Sequence, residues 1–396
     1  GTALHELAQN ERYREICVNQ ADNGGRYSAL SFFGLVPAAL MGVDVSGLLG
    51  WARGMALLCG PTNAIGQNPG VALGIVMGSA ARMGRDKLTL ITGPRLRPFG
   101  LWVEQLIAES TGKGGTGIVP IAGEPLGTPD DYGKDRLFVR LRLHGGDPEE
   151  HQRDGKVERL RAAGHPIVNI RLVEPLGIGA EFLRWEIATA TAGAILGINP
   201  FDEPNVQQAK DATKAILRQY ATERRLPSPP AHVAAEATSV TFSKPALDTM
   251  GHKTGAADAL RAFFELVQPG DYVGILAYLP TDAAVESSLE RVRLALRASK
   301  RVATTAGFGP RYLHSTGQLH KGGANNGQFV LITADTKSDL SIPGELFSFG
   351  VLETAQALGD FASLEATGRR VVRLHLPAGD PGTVARACEL IISALR

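Results

Sequence analysis

Cysteine is scarce in this sequence: among 396 residues only Cys17, Cys59 and Cys388 occur, far apart and odd in number. That pattern fits neither a disulfide framework nor a zinc site and points to a reducing compartment, so the cytoplasm is the expected location. An excess of either charge is also missing. With 41 basic against 40 acidic residues spread along the chain, there is no footprint for nucleic acid and no polybasic patch for a membrane surface. The expected partner is a small molecule. The longest apolar runs, Gly70 to Ala81 and Ile187 to Ile198, are rich in Gly and Ala and fall short of the about 20 residues that cross a bilayer. No signal peptide or internal repeat is visible, and no G-x-G-x-x-G stands between a strand and a helix with the acidic partner a dinucleotide site needs. His314 and His320, without a nearby Cys or acidic cluster, are weak evidence for a metal. No cofactor or metal is expected.

What is present is a recurring α/β rhythm in a chain long enough for two or three domains. The first part, 1–225, predicts a helix over His5 to Val18, a turn and apolar helix between Asp22 and Gly42, and helices over Val45 to Leu58 and Gly70 to Arg82. Strands follow at Asp86 to Thr92, Arg136 to Leu143 and Pro166 to Arg171, and helices at Leu101 to Glu109, Lys156 to Gly164 and Leu176 to Ile198. Asn205 is expected to cap a helix that carries Lys210. Leu226 to His232, LPSPPAH, reads as a linker, and 226–396 reads as a second α/β domain. Its expected helices are Ala257 to Leu266, Ser287 to Ala298, Leu346 to Leu358 and Gly382 to Leu395. Its strands are Tyr272 to Tyr278, Arg301 to Thr305, Gln328 to Thr333 and Arg370 to Leu376, and a loop from Gly307 to Gly323 carries His314 and His320.

The chemistry centres on LIAESTGKGGTGIVP, Leu106 to Pro120. Phe99, Trp102, Val103, Leu106 and Ile107 form one helical stripe, and at about 100° per residue Glu109 borders it while Glu104 points to the opposite side. Glu104 therefore reads as a solvated residue. Glu109, where packing meets a glycine-rich turn, suits proton transfer, although a surface helix end is an equally simple place for a glutamate. Arg26 follows Gly24 and Gly25 in a tight turn, which suits an anion or an enolate-like oxygen, or else a neighbouring carboxylate. Glu186 stands alone in FLRWEIATATAGAIL and predicts a partly buried acid with a hydrogen-bond partner.

Three stretches, GGRYSALSFFGLVPAAL from Gly24, PFGLWVEQLIAESTGK from Pro98 and GINPFDEPNVQQAK to Lys210, resemble in order the signatures of glucose-6-phosphate isomerases. The form is most similar to the isomerase half of bifunctional transaldolase/phosphoglucose isomerase proteins, with HSTGQLHKGG included. The resemblance implies sugar-isomerase (SIS) α/β domains with a doubly wound, mostly parallel sheet, no cofactor, and interconversion of glucose 6-phosphate and fructose 6-phosphate through a cis-enediol. It assigns the base to Glu109, the enediolate-facing charge to Arg26, and ring opening or phosphate contact to Lys210. Gly25, Ser28, Lys113, His314 and Gln318 are the accompanying substrate-binding candidates.

Two departures qualify the resemblance. The family's ring-opening histidine follows the glutamate in a G-T-N-G-Q-H motif, and the corresponding Gly123 to Asp135 segment has none. His320, contributed by the opposite subunit, is the expected replacement, with Asp131 or Tyr132 the alternatives. The family also has a first SIS domain, with a phosphate loop, before the motif at Gly24. The chain begins at Gly1 without methionine and is expected to be a processed form or fragment, acting as a homo-oligomer or with the missing SIS/transaldolase part. A non-catalytic sugar-phosphate-binding module is the alternative reading.

Overall fold

The computed structural model describes residues 2–145 and 148–396. Helices α1 (Ala3–Asn10), α2 (Phe32–Leu40), α3 (Val45–Leu58) and α4 (Pro69–Arg82) lead into strand β1 (Lys87–Thr92) and helix α5 (Arg97–Thr111). Then come β2 (Val119–Ile121), β3 (Arg136–Leu143), α6 (Glu150–Ala162), β4 (Ile167–Leu172), α7 (Ile178–Leu196) and α8 (Pro204–Glu223). The remainder is β5 (Val233–Ala235), β6 (Thr238–Phe242), α9 (Lys244–Met250), α10 (Ala256–Glu265), β7 (Tyr272–Tyr278), α11 (Ala283–Lys300) and β8 (Ala303–Phe308). It ends with α12 (Gly317–Gly322), β9 (Gly327–Ala334), α13 (Phe349–Ala366), β10 (Arg370–Leu376) and α14 (Pro381–Ala394).

Strands β1 to β4 form a parallel sheet in the order β2-β1-β3-β4. The second sheet has the order β5-β6-β10-β9-β7-β8. Its last four strands are parallel, whereas β6 runs antiparallel to β10 and β5 antiparallel to β6. Helices cover both faces of each, as in doubly wound α/β folds. On the first sheet α4, α5 and α7 bury Leu73, Met77, Val103, Ile107 and Trp185 against Leu88, Leu90 and Val139. The small residues of α4 serve that packing. A Cβ on Gly74 would stand 2.5 Å from the Ala188 carbonyl oxygen, and one on Gly78 would stand 2.9 Å from Ile195.

The two sheets share an apolar layer, in which Ala108, Val119 and Ile121 lie with Tyr272, Leu276, Phe329 and Leu331. A buried ionic cluster joins them as well. Glu124 accepts from Arg136 Nη1 at 3.2 Å and from Thr304 Oγ1 at 3.2 Å, and stands 3.7 Å from Arg297. Helix α8 reaches across to α13, where Gly359 admits Thr213.

Several expectations need correction. The first helix stops at Asn10, and Arg12 has φ 52, the left-handed region that ends it. Asn205 does not cap α8: the helix begins at Pro204 with Glu203 before it, and no side chain caps that end. His320 lies on α12 rather than a loop. Gly24 takes an ordinary extended φ of −66, because Gly25–Tyr27 is a single 3-10 turn that needs no left-handed residue. Glu104 is buried at 4% exposure instead of solvated, since α5 is covered on two sides by different sheets.

Candidate active site

Helix α5 runs back from the carboxyl end of β1, so Glu109, in its last turn, lies toward the amino ends of the strands, where Val119 pairs with Lys87. Thr111 shapes the loop beyond the helix: its hydroxyl donates to the Ile107 carbonyl at 2.7 Å and accepts from the Ile118 amide at 2.9 Å. The segment between Thr111 and Ile118 turns through Gly114 and Gly115, at φ 61 and 77, a region that glycine adopts readily. Glu109 thus ends beside Arg26. Arg26 Nη1 stands 3.6 Å from Glu109 Oε1, with side-chain exposures of 2% and 12%.

The guanidinium is fully engaged. Nε donates to Ser110 Oγ at 2.9 Å, Nη1 to Glu203 Oε2 at 2.9 Å, and Nη2 to the carbonyls of Pro200 and Asp202 at 3.1 Å each. Tyr27 Oη lies 3.1 Å from the same Ser110 hydroxyl. Gln105, one turn before Glu109, donates to its Oε2 at 3.2 Å. Burial pushes the Glu109 carboxyl above its ordinary pKa, opposed by Arg26 and Gln105 and assisted by the charge of Glu203. A carboxyl poised in this way, touching a cation that stays protonated, can take and return a proton.

The other predicted residues are arranged differently. Lys113 is buried, and its ammonium is held by the Asn199 carbonyl at 2.8 Å, Asp202 Oδ1 at 2.7 Å and the Asp202 carbonyl. Three donors meet three acceptors, so Lys113 clamps the 199–202 turn and has no donor left for a phosphate. Gln318 is likewise used: Oε1 accepts from the Asn205 amide at 2.8 Å, and Nε2 donates to the Gly112 carbonyl at 2.9 Å. Ser28 turns inward, donating to the Gly25 carbonyl at 2.6 Å.

Lys210 is exposed on α8, and His314 is exposed at the end of the Arg311–His314 turn. Partial burial, with the charge of Lys210 second, lowers the His314 pKa. The two therefore lie within electrostatic reach of each other. No hydrogen bond or ion pair joins either to Arg26 or Glu109 among the described residues.

His320 is the clearest correction. Its ring is 1% exposed among Phe329, Tyr312 and Tyr272, with centroids 4.8, 6.1 and 6.2 Å away. Neither ring nitrogen has a hydrogen-bond partner, and burial, with Lys321 and Arg369 nearby, drives its pKa well below the ordinary value. A neutral, enclosed imidazole cannot reach a sugar oxygen. Asp131 and Tyr132 are engaged too: Asp131 accepts from the Thr128 amide and hydroxyl, and Tyr132 Oη accepts from the Gly127 amide at 2.7 Å.

Sequence reasoning missed Glu203, Gln105, Ser110 and Tyr27. Gln105 had a legible signal, lying one turn before Glu109 on the same helix. Glu203 had none, because its partner Arg26 is 177 residues away. Two acids outside this cluster are unusual. Burial raises Glu104 to about 7 against the charges of Arg311 and Arg293, and raises Glu186 to about 8. Among the described residues the expected hydrogen bond of Glu186 is not made at Oε1, which is buried without a partner. A cavity of about 440 Å³ lies at the carboxyl ends of β7, β9 and β10, lined by Tyr278, Thr333, Asp335, Glu353 and His375. None of the predicted site residues lines it. Among the described residues, no group of three or more His, Cys, Asp and Glu could hold a metal ion, and no helix is long and apolar enough to cross a membrane.

The fold and the buried acid–arginine pair define an α/β protein with a candidate proton-transfer site. Its sequence is similar to glucose-6-phosphate isomerases over about half its length. A probable glucose-6-phosphate isomerase of Natronomonas pharaonis is 31% identical over 228 residues, covering 49% of this chain and 52% of that protein. The glucose-6-phosphate isomerase of Rubrobacter xylanophilus is 31% identical over 240 residues, covering 49% and 53%, and that of Symbiobacterium thermophilum 29% over 257 residues, covering 56% and 57%. The chain spans about half the length of the curated relatives it matches. No protein-family model matches it. Among solved structures, a putative sugar binding protein from Salmonella typhimurium aligns over 89% of this chain and 100% of that one, with a TM-score of 0.28 and 15% identity. A Chlamydia trachomatis glucose-6-phosphate isomerase aligns over 87% and 72%, with a TM-score of 0.26 and 10% identity.

Proposed function

We propose that the chain carries the proton-transfer part of a glucose-6-phosphate isomerase. Glu109 abstracts a proton from one of the two carbons, C1 and C2, and returns it to the other. Arg26 stabilises the negative oxygen of the cis-enediolate between these steps. The single observation that carries this reading is the 3.6 Å approach of Arg26 Nη1 to Glu109 Oε1 in a largely buried setting. His314 is a better ring-opening acid than His320, being exposed and near Lys210. Both of these would meet the sugar from the side of the second sheet.

The motif HSTGQLHKGG favours a place beside a transaldolase activity, in a fusion or an association between subunits. A sugar phosphate is the substrate on this reading, the cytoplasm the location, and 1–225 and 226–396 the two units. A coupled assay of fructose 6-phosphate conversion tests it with wild type and Glu109→Gln. Turnover in the wild type that falls at least about 10²-fold in the variant supports the isomerase. Sugar-phosphate binding without turnover in the wild type supports the alternative, a binding module.

A further inference from the structure

One nitrogen of Arg26 serves two carboxylates. Nη1 donates to Glu203 Oε2 at 2.9 Å and stands 3.6 Å from Glu109 Oε1. The other nitrogens are held by Ser110, Pro200 and Asp202, so Nη1 is where an incoming oxyanion must bind. Glu203 occupies that place. It differs from its neighbours in being open to solvent: its side chain is 44% exposed, against 2% for Arg26 and 12% for Glu109. Its carbonyl accepts from the Val206 amide at 3.2 Å, but its side chain does not cap α8.

Resting on the isomerase reading of Arg26 and Glu109, we propose that Glu203 is a displaceable counter-anion. This positioning residue holds the Arg26 guanidinium in the empty site and turns out to solvent when the enediolate oxygen of the substrate takes Nη1. The enediolate forms as Glu109 takes the substrate proton and loses its charge, so the Arg26 guanidinium then faces the oxyanion and Glu203, which compete for the same Nη1. Release of Glu203 to solvent leaves one anion on one cation. The remaining groups do not substitute for it. Lys113 is committed to Asp202, Tyr27 to Ser110 and Pro200, and Gln105 to Glu109. Glu186 of α7 reaches the cluster only through its charge on Tyr27.

The charge of Glu203 is among the influences that raise the Glu109 carboxyl, and that of Arg26 opposes it. Replacing Glu203 by Gln removes the first and leaves Nη1 to Glu109 alone, so Glu109 should titrate at lower pH. The test is a ¹³C-carboxyl NMR titration of Glu109 in the full 396-residue chain, comparing wild type, Glu203→Gln and the charge-matched surface control Asp258→Asn. Alongside it, binding of glycolohydroxamate, a two-carbon enediolate mimic, is measured for each. The expected result is a lower Glu109 midpoint and roughly threefold tighter binding in Glu203→Gln alone, the scale of one partly screened charge contact. An unchanged midpoint in a folded Glu203→Gln protein overturns the inference, as does unchanged affinity for the mimic. If the midpoint and affinity shift but no form of the chain isomerises fructose 6-phosphate, the isomerase reading falls and the Glu203–Arg26 exchange stands.

Discussion

The side-chain amide of Gln318 donates to the Gly112 carbonyl at 2.9 Å, tying α12 to the loop that leaves Glu109. The approach is close. A Cβ on Gly112 would stand 2.3 Å from the Leu319 Cα. The end of the helix that bears the proposed base is therefore shaped by a residue 206 positions away along the chain, so substitutions far from Glu109 should reach it.

Gln318→Ala removes this bond together with those to the Asn205 amide and its Oδ1. Leaving a buried partner unpaired costs about 1–3 kcal/mol, and of the partners the Gly112 carbonyl is buried while Asn205 is half-buried, so a loss of about 1–3 kcal/mol is expected. Urea unfolding monitored by circular dichroism measures it, and a shift below about 0.5 kcal/mol, the scatter of surface substitutions, contradicts the packing described.

Gly74→Ala tests the contact between α4 and α7. The new methyl would meet backbone, the Ala188 carbonyl oxygen at 2.5 Å, and backbone cannot rotate away. Overpacking of this kind costs about 1–3 kcal/mol despite the better helix propensity of alanine. A thermal midpoint unchanged from wild type would show that the helices separate freely.

Ionisation of the buried Glu104 carboxyl should make stability fall as pH rises. Its folded pKa of about 7 lies above the ordinary 4.5, so the native state binds more protons than the unfolded state between these values. Stability is then lost progressively from about pH 4.5 to 7 and the penalty is complete above that. Glu104→Gln, an uncharged isostere, should flatten this part of the profile and stabilise the protein at about pH 8 by about 1–3 kcal/mol relative to wild type. Equal wild-type and variant profiles in denaturant titrations on either side of that window would contradict the burial of the carboxyl.

The histidines separate by location. His314→Asn should slow conversion of fructose 6-phosphate by about 10²-fold or more, the usual contribution of a general acid. His320→Phe keeps an aromatic ring beside Phe329 and removes two nitrogens that have no partners. It should leave turnover within about twofold, since exchange of a buried polar group without a partner for an apolar one is close to neutral. The reverse pattern in a coupled assay returns the role to His320.

How much of this is legible in the sequence depends on where the information lies. The helix over Val45 to Leu58 and the strands at Arg136 to Leu143, Tyr272 to Tyr278 and Arg370 to Leu376 match their expected limits, because their apolar periods and flanking turns are local. The short strands β2 and β5, three residues each, lack enough residues to set a period. Glu104 escapes for a different reason. A helical wheel reveals one buried stripe, and α5 has a second cover, supplied by the other sheet. Arg26 and Glu109 are legible as two motifs of one resemblance. Their distance, and the presence of Glu203 between them and solvent, belong to the folded turn at 199–203 and to no pattern along the chain.

The most direct test of the account is hydrogen exchange at carbon. With fructose 6-phosphate in D₂O, the chain should incorporate solvent deuterium at C1 of the ketose, followed by ¹H NMR. Glu109→Gln should do so at least about 10²-fold more slowly while keeping the wild-type circular dichroism spectrum. Exchange at equal rates in both proteins, or none in the wild type with sugar phosphate bound, would contradict the assignment of Glu109 as the base.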